Sequence, residues 1–251
     1  MSDQKQKQDQ KQSIKTFTDI KNAFYINLEH RKDRKEHVEA ELSKIGIPAE
    51  RFNAIRMENG AIGCSMSHLK ILQNALAQNM DHVLILEDDI TFLDPELFRN
   101  QFDIFLSRFK TNWDVILLAG NNMPPHLQID ETCIKVTSCQ TTTGYLVNGH
   151  YISKLMENVK MGLHHLLRDP ARHAEFAIDK FWKRLQEVDR WFLITPPTVI
   201  QCEGYSDIEQ KMTNYGKPML DLDKKVFLQK IKEREDYINM MKTFKNKYAN
   251  T

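Results

Sequence analysis

The sequence predicts an α/β fold in which helices flank a mostly parallel central sheet. Apolar strand-like runs alternate with amphipathic helical segments along the chain, and the runs are apolar almost throughout. Strands have this composition when helices cover both faces of a parallel sheet. With 251 residues, 41% of them hydrophobic and 27% charged, the chain is long enough for one large globular domain.

The first half of the chain predicts regular alternation of strand and helix. Helical periodicity is clearest in 31–47, where Val38, Leu42 and Ile45 share one stripe. Asp94 and Pro95 form a helix start, with Asp94 as the cap. The predicted elements, in order, are strand 22–28, helix 31–47, strand 50–55, a turn bracketed by Gly60 and Gly63, helix 65–79, strand 82–88, helix 95–109 and strand 113–120.

The second half predicts shorter strands and a long final helix. Segments 133–138 and 142–148 are typical of sheet-edge strands, and 190–201 is predicted to be extended. Helices are predicted over 149–162 and 174–188.

Three regions follow from this pattern. Residues 1–18, rich in Gln and Lys, predict a disordered polar tail. Residues 19–217 predict the α/β domain, and 218–251 predict an amphipathic helix. The apolar stripe of that helix either packs on the core or forms an oligomerisation arm; its members are Phe227, Ile231, Ile238 and Met241.

The charge balance and cysteine content exclude several classes of protein. Lys and Arg number 35 against 34 Asp and Glu, so no global field attracts nucleic acid or an acidic membrane. No apolar run approaches the ~20 residues that span a bilayer. The four cysteines form no CxxC pair, and we expect reduced thiols.

Three consecutive carboxylates, Glu87, Asp88 and Asp89, follow a buried strand. Ligands bind beyond the carboxyl ends of strands in open parallel sheets. Alternation sends Glu87 and Asp89 to one face and Asp88 to the other. Paired carboxylates repel unless a cation lies between them, and Mg²⁺ and Mn²⁺ prefer such oxygen ligands. The alternative is an exposed strand end with solvated charges.

Common phosphate-binding motifs are missing from the sequence. It contains neither GxGxxG at a strand–helix junction nor GxxxxGK[ST], which disfavours a Rossmann dehydrogenase and a P-loop enzyme. If a nucleotide binds, a metal is therefore the expected partner of its phosphates.

The chain resembles glycosyltransferase family 25 over roughly residues 22–210. That family includes lipooligosaccharide galactosyltransferases and collagen hydroxylysine glycosyltransferases. Six segments carry the resemblance in the family's order: FYINLEHRKDRKEHVEAEL, GAIGCSMSHLKILQNAL, VLILEDDITF, TTTGYLVNGHYISKL, AIDKFW and PPTVIQCEGYSDIE.

The resemblance implies a single GT-A-like domain, a UDP-galactose or UDP-glucose donor, and Mn²⁺ or Mg²⁺. It implies that Asp89 binds the metal, that Glu87 binds the metal or the ribose, and that Asp88 turns toward the sugar or holds the loop. The reaction it implies is transfer of the hexose to a hydroxyl of hydroxylysine, galactosyl-hydroxylysine or a lipooligosaccharide sugar.

The other residues implied in donor binding lie at the family's opening motif, in the second helix and near the end of the domain: Asn27, Leu28, Arg31, Arg34, Ser67, His68 and Gln201. The forked donors of Arg31 and Arg34 suit phosphate, although solvated helix charges are the alternative. Ser67 and His68 are alternatively structural.

Two further carboxylates complete the predicted site. Asp179 is the candidate base for the acceptor hydroxyl, or else an ordinary carboxylate at a helix start. Asp207 completes the metal site, or lies in a turn or helix cap.

Two other functions are compatible with the sequence. Glu87, Asp89 and Thr91 come within one residue of the DxDxT signature of haloacid-dehalogenase-like phosphatases, with Glu87 in place of the nucleophilic Asp. A sugar-nucleotide or glycan binding protein without turnover is the second. The polar N-terminus has no apolar segment typical of a signal peptide, which favours a cytoplasmic bacterial or viral setting.

Overall fold

The computed structural model describes residues 14–206 and 211–248. The strands are β1 (Ala23–Asn27), β2 (Glu50–Asn53), β3 (His82–Glu87), β4 (Ile90–Phe92), β5 (Val115–Leu117), β6 (Asn121–Asn122), β7 (Leu127–Gln128), β8 (Cys133–Lys135), β9 (Cys139–Gln140), β10 (Gly144–Asn148), β11 (Trp191–Ile194), β12 (Val199–Gln201), β13 (Gly204–Ser206) and β14 (Lys211–Thr213). The helices are α1 (Lys32–Ile45), α2 (Gly60–Ala77), α3 (Pro95–Phe109), α4 (Ile152–Arg168), α5 (His173–Phe176), α6 (Ile178–Phe181), α7 (Lys183–Gln186), α8 (Gly216–Leu220) and α9 (Lys225–Tyr248).

An eight-stranded sheet in the order β2-β1-β3-β10-β5-β11-β8-β7 organises the described residues. Strand β1 is parallel to both β2 and β3, and β5 is parallel to β11. Strands β10 and β8 run against their neighbours. The α/β class with a mostly parallel sheet is confirmed, but β10 lies centrally and not at an edge as predicted. Its side chains are apolar on both faces, which suits a central position.

Strand β3 shows why both faces of the sheet need helices. Leu84 and Leu86 belong to one core, which also contains apolar residues of α1 and α3. Val83 and Ile85 point into the other core, with residues of α2 and α4. All four side chains are fully buried, and each contributes about 1.5–3 kcal/mol relative to an exposed position.

The predicted disordered tail, residues 1–18, includes residues at its C-terminal end that are packed in the structure. Ile14 and Phe17 are buried, and the Phe17 ring packs edge-on against Phe98 and Phe102 of α3. Residues 14–18 therefore belong to the folded domain, because an apolar ring in an aromatic cluster is removed from water. Residues 1–13 lie outside the described part of the chain.

Helix α2 begins at Gly60, earlier than predicted. The Asn59 side chain accepts hydrogen bonds from the backbone N–H groups of Ala61 and Ile62, which caps the helix there. Gly63 packs so closely on the loop before it that a Cβ would lie 2.5 Å from the carbonyl oxygen of Ile55. Gly63 thus allows this helix to lie against the loop that follows β2.

The predicted helix 174–188 is divided into α5, α6 and α7. Ala177 is extended, with φ −55° and ψ 149°, and separates α5 from α6. This break places Asp179 in the first turn of a four-residue helix.

The final helix is present as α9, but its apolar side chains are not buried. Phe227, Ile231 and Ile238 are exposed, so these residues do not pack on the core. The side chain of Met241 lies outside the described part. The oligomerisation arm stays a prediction. None of the helices described in this structure has the length and apolar composition needed to cross a bilayer.

Candidate functional site

A cleft of ≈ 430 Å³ lies beyond the carboxyl ends of β1 and β3. Because these strands are parallel neighbours, with Ile26 paired to Glu87, the residues that follow them meet at one edge of the sheet. Helices α1 and α2 and the segment after β12 complete the walls. Most of the residues predicted for the site line this cleft: Leu28, Arg34, Ser67, His68, Glu87, Asp88, Asp89 and Gln201.

The acidic triplet does not alternate as predicted. Asp88 and Asp89 contact the same guanidinium group, with Arg34 Nη1 3.0 Å from an oxygen of each. Strand β3 ends at Glu87, and the following two residues form a turn. Alternation holds only in extended backbone, so the assignment of Asp88 to the opposite face is wrong.

Arg34 is the positive group among these carboxylates. Its Nη2 donates to the carbonyl oxygen of Tyr205 at 2.8 Å, which ties α1 to β13. The neighbouring amides complete the arrangement. Gln201 Nε2 donates to Asp89 Oδ2 at 2.7 Å, and Asn27 Nδ2 donates to Asp88 Oδ2 at 2.8 Å.

One guanidinium does not balance three carboxylates. Burial, with the charges of Glu87 and Asp88, raises the pKa of Asp89 to about 7, although Arg34 acts in the opposite direction. Burial also raises the pKa of Asp88. The cluster therefore carries more negative charge than the protein neutralises.

One oxygen of this cluster is available to a ligand. Asp89 Oδ1 is buried, and no described residue forms a hydrogen bond with it. A buried acceptor without a partner is costly unless something else satisfies it. Its surroundings, rich in carboxylate oxygen, fit a hard divalent cation. Asp207, also predicted for the metal, lies outside the described residues.

Glu87 faces a different set of groups. Thr142 Oγ1 donates to Glu87 Oε1 at 2.7 Å, Cys64 Sγ lies 3.8 Å from that oxygen, and His68 Nε2 lies 3.5 Å from it. Burial acts to raise the pKa of Glu87, but His68 and Thr142 outweigh it and the pKa is lowered. Tyr145 supports this side of the cleft, with its hydroxyl 2.7 Å from His68 Nδ1.

Sequence reasoning missed Cys64, Thr142 and Tyr145. Cys64 and His68 are four residues apart and so share one helix face, a signal that was present in the sequence. Tyr145 reaches His68 across 77 positions of sequence. The pairing of β10 with β3 that makes this possible has no local signal.

Other predicted residues bond mainly within the protein. Ser67 Oγ accepts from the backbone N–H of Ile55 and donates to the carbonyl oxygen of Gly63. It therefore joins α2 to the loop that follows β2. Arg31 pairs with Asp33 at 2.9 Å, at the start of α1.

Asn27 and Asp179 both hold loops. Besides Asp88, Asn27 Nδ2 donates to the carbonyl oxygen of Arg31. Asp179 Oδ2 accepts from the backbone N–H of Thr141 at 3.1 Å. Thr141 has φ +80°, a conformation that costs a non-glycine residue energy and needs support. Asp179 therefore holds the loop whose Thr142 binds Glu87.

Comparison with known proteins supports a family assignment. Residues 55–166 match the family described as Glycosyltransferase family 25 (LPS biosynthesis protein). A glycosyltransferase 25 family member from Drosophila melanogaster is 26% identical over 180 residues, covering 59% of this chain and 29% of the relative. Procollagen galactosyltransferase 1-B from Xenopus laevis is 25% identical over 179 residues, covering 55% of this chain and 28% of the relative. The chain thus spans less than a third of either relative.

Among solved structures, a glycosyltransferase involved in the glycosylation of the major capsid of PBCV-1 has 13% sequence identity and a TM-score of 0.41. The alignment covers 80% of this chain and 88% of that one, and at this score it carries no functional argument. The family match stands on sequence, and it includes both the Cys64–His68 helix face and the acidic triplet. Residues 55–166 of this chain are therefore similar to glycosyltransferase family 25.

Proposed function

We propose that this protein is a metal-dependent glycosyltransferase that moves galactose or glucose from a UDP-sugar to an acceptor hydroxyl. The observation that carries the proposal is the buried Asp89 Oδ1 beside Arg34, which has no hydrogen-bond partner among the described residues and lies in a cleft at the carboxyl edge of the sheet. Hydroxylysine, galactosyl-hydroxylysine and a lipooligosaccharide sugar are the acceptor classes that fit the family.

The residues proposed to hold the cation are Asp89, with Glu87 or Asp88 beside it and Asp207 from the following segment. When bound, Mn²⁺ or Mg²⁺ would supply positive charge to the departing diphosphate. Arg34 already carries a positive charge at this position and is proposed to assist the same group. Gln201 and Asn27 keep the two aspartates oriented, through the hydrogen bonds described above.

Asp179 is proposed to accept the proton of the attacking hydroxyl. A positioned base contributes about 10²–10⁴-fold to such a reaction. The competing role is support of the loop at Thr141, which its hydrogen bond to that residue already provides. In Asp179→Asn, loss of transfer with unchanged UDP binding favours the base, whereas equal loss of both favours the loop support.

The primary test is release of UDP from a panel of UDP-sugars in the presence of Mn²⁺. We expect slow hydrolysis of one preferred sugar without acceptor, and faster release when a hydroxylysine peptide or an oligosaccharide is added. Lys32→Gln is the matched control, because Lys32 is exposed on α1, outside the cleft.

Two outcomes would replace the proposal. UDP binding without turnover on any sugar and acceptor would identify a binding protein. Hydrolysis of simple phosphomonoesters without release of UDP would favour the phosphatase. The structure offers that alternative little support, because Thr91 of the DxDxT-like pattern directs its hydroxyl to His37 at 3.1 Å.

A further inference from the structure

The lining of the cleft also brings together a thiol, an imidazole and a carboxylate. One ligand atom each from Cys64, His68 and Glu87 lies within 4.8 Å of the others. Two of these residues come from successive turns of α2, and the third ends β3. Donors carried by a helix and a strand are held more rigidly than donors on loops.

Two of the three donor distances are close to those around a tetrahedral metal ion. Zinc bonds of about 2.3 Å to sulfur and about 2.0–2.2 Å to nitrogen or oxygen place neighbouring ligand atoms about 3.3–3.6 Å apart. His68 Nε2 lies 3.5 Å from Glu87 Oε1, and Cys64 Sγ lies 3.8 Å from the same oxygen. These two distances need shifts of only a few tenths of an ångström, and the third pair, Cys64 and His68, lies within 4.8 Å.

The buried imidazole provides an independent observation. His68 is 0% exposed, and its Nε2 forms no well-aligned hydrogen bond with any described residue. Its Nδ1 lies 2.7 Å from the hydroxyl of Tyr145. If Nδ1–H donates to Tyr145, the lone pair of Nε2 points toward Cys64 and Glu87. Metal-binding histidines are commonly held in this way by a partner on the second ring nitrogen.

We propose that Cys64, His68 and Glu87 form a second cation site on the floor of the cleft, for a thiophilic divalent ion of which Zn²⁺ is the type. Mixed sulfur, nitrogen and oxygen donors select Zn²⁺, whereas the oxygen donors around Asp89 select Mn²⁺ or Mg²⁺. Three protein ligands leave the fourth tetrahedral position open. The inference depends on these donors and not on sugar transfer.

Titration of the full chain with Co²⁺ tests the site, because a thiolate ligand produces a near-ultraviolet charge-transfer band. We expect one equivalent of Co²⁺ to produce this band and Zn²⁺ to abolish it by displacement. Cys64→Ser should eliminate the band. Cys202→Ser is the matched control, since Cys202 is also a half-buried free thiol near Asp89, and it should retain the band.

Two further variants address the other donors and the choice between sites. Tyr145→Phe keeps the ring and removes only the support of Nδ1, and it should weaken Co²⁺ binding about tenfold. Asp89→Asn should retain the band, because Asp89 is proposed for the other cation. Thermal unfolding of each variant without metal verifies that it is folded.

Several outcomes would overturn the proposal. They are Co²⁺ binding without a thiolate band in the parent chain, a band lost in Cys202→Ser but kept in Cys64→Ser, and a band lost in folded Asp89→Asn. UDP release is not measured here. Failure of the proposed transferase activity would therefore leave this result unchanged, and failure of Co²⁺ binding would leave that activity unchanged.

Discussion

Two buried aspartates lie at opposite ends of the strands of the sheet. Each has an arginine partner, but their pKa values are shifted in opposite directions. Asp89 lies beyond the carboxyl end of β3, and Asp114 lies just before β5, which runs in the same direction. They are 4% and 5% exposed. The pKa of Asp89 is raised to about 7, whereas that of Asp114 is lowered.

The difference arises from how each charge is balanced. Burial acts to raise the pKa of Asp114, but Arg190 outweighs it through its backbone N–H at 2.8 Å and its guanidinium at 2.6 Å. His150 Nε2 contacts the same carboxylate at 2.7 Å. Asp89 shares Arg34 with Asp88, and one of its oxygens has no described partner. The satisfied aspartate is suited to stabilise the fold, while the unsatisfied one is the group proposed to bind a ligand.

Among the variants that distinguish Asp89 from Asp114, Asp89→Asn should cause the largest change, a loss of activity. If Asp89 holds the cation, the substitution should lower Mn²⁺-dependent UDP release by about 10²–10³-fold, the range seen when one electrostatic contact to a developing charge is removed. Activity assays across Mn²⁺ concentrations measure this. Asp223→Asn, at an exposed carboxylate, is the control. Normal release in Asp89→Asn would remove Asp89 from the metal site.

Asp114→Asn should instead lower the stability of the fold and leave activity unchanged. Loss of the charge weakens the bonds from Arg190 and His150, and bonds to charged groups contribute about 1.5–3 kcal/mol each. We expect the free energy of unfolding to fall by about 2–3 kcal/mol, with unchanged activity per folded molecule. Urea unfolding measures it, with Asp223→Asn again as the control. A larger loss of activity than of stability would show that Asp114 communicates with the cleft.

The sequence predicted the edge of the sheet that holds the site better than it predicted the contacts there. An apolar strand followed by Glu87–Asp89 predicted a metal site, and the structure places these carboxylates in the lining of a cleft. Alternation failed beyond Glu87, because it is a property of extended backbone and the chain turns at that point. Arg34 was predicted for phosphate, and its bonds to Asp88 and Asp89 come from packing of α1 against the sheet.

The remaining contacts depend on strand pairing that no local pattern reveals. Thr142 reaches Glu87, and Tyr145 reaches His68, because β10 inserts beside β3 in the antiparallel direction. Asp114 lies within the predicted strand 113–120, and no pattern in the sequence predicted a partner for it. Its partner Arg190 lies 76 positions away, next to it only because β11 pairs with β5.

Arg34→Gln removes the guanidinium that Asp88 and Asp89 share, and so tests how their charge is balanced. The acidic cluster would then have no guanidinium, and Mn²⁺ should bind about tenfold more tightly, a change of about 1.4 kcal/mol. UDP release should nevertheless fall, because the charge proposed to assist the diphosphate is lost. Binding measured by electron paramagnetic resonance of free Mn²⁺, alongside activity, separates these effects. Weaker Mn²⁺ binding would mean that Arg34 organises the aspartates and does not compete with the cation.

The smallest expected effect, per pH unit, is a difference in the pH dependence of stability. A carboxyl with a raised pKa binds more protons in the folded state, so its contribution to stability decreases as the pH rises from about 4, the unfolded value, to about 7. A carboxyl with a lowered pKa, such as Asp114, contributes stability above about pH 4 that is lost as the pH falls through its folded value.

In the absence of divalent ions, Asp89→Asn should therefore gain stability relative to the parent chain as the pH rises from 5 to 7, on the order of 1 kcal/mol per pH unit. Asp114→Asn should show no such gain over that range, and urea unfolding at both pH values measures the two slopes. Equal slopes would mean that Arg34 alone balances the cluster, leaving no excess charge for a cation to neutralise.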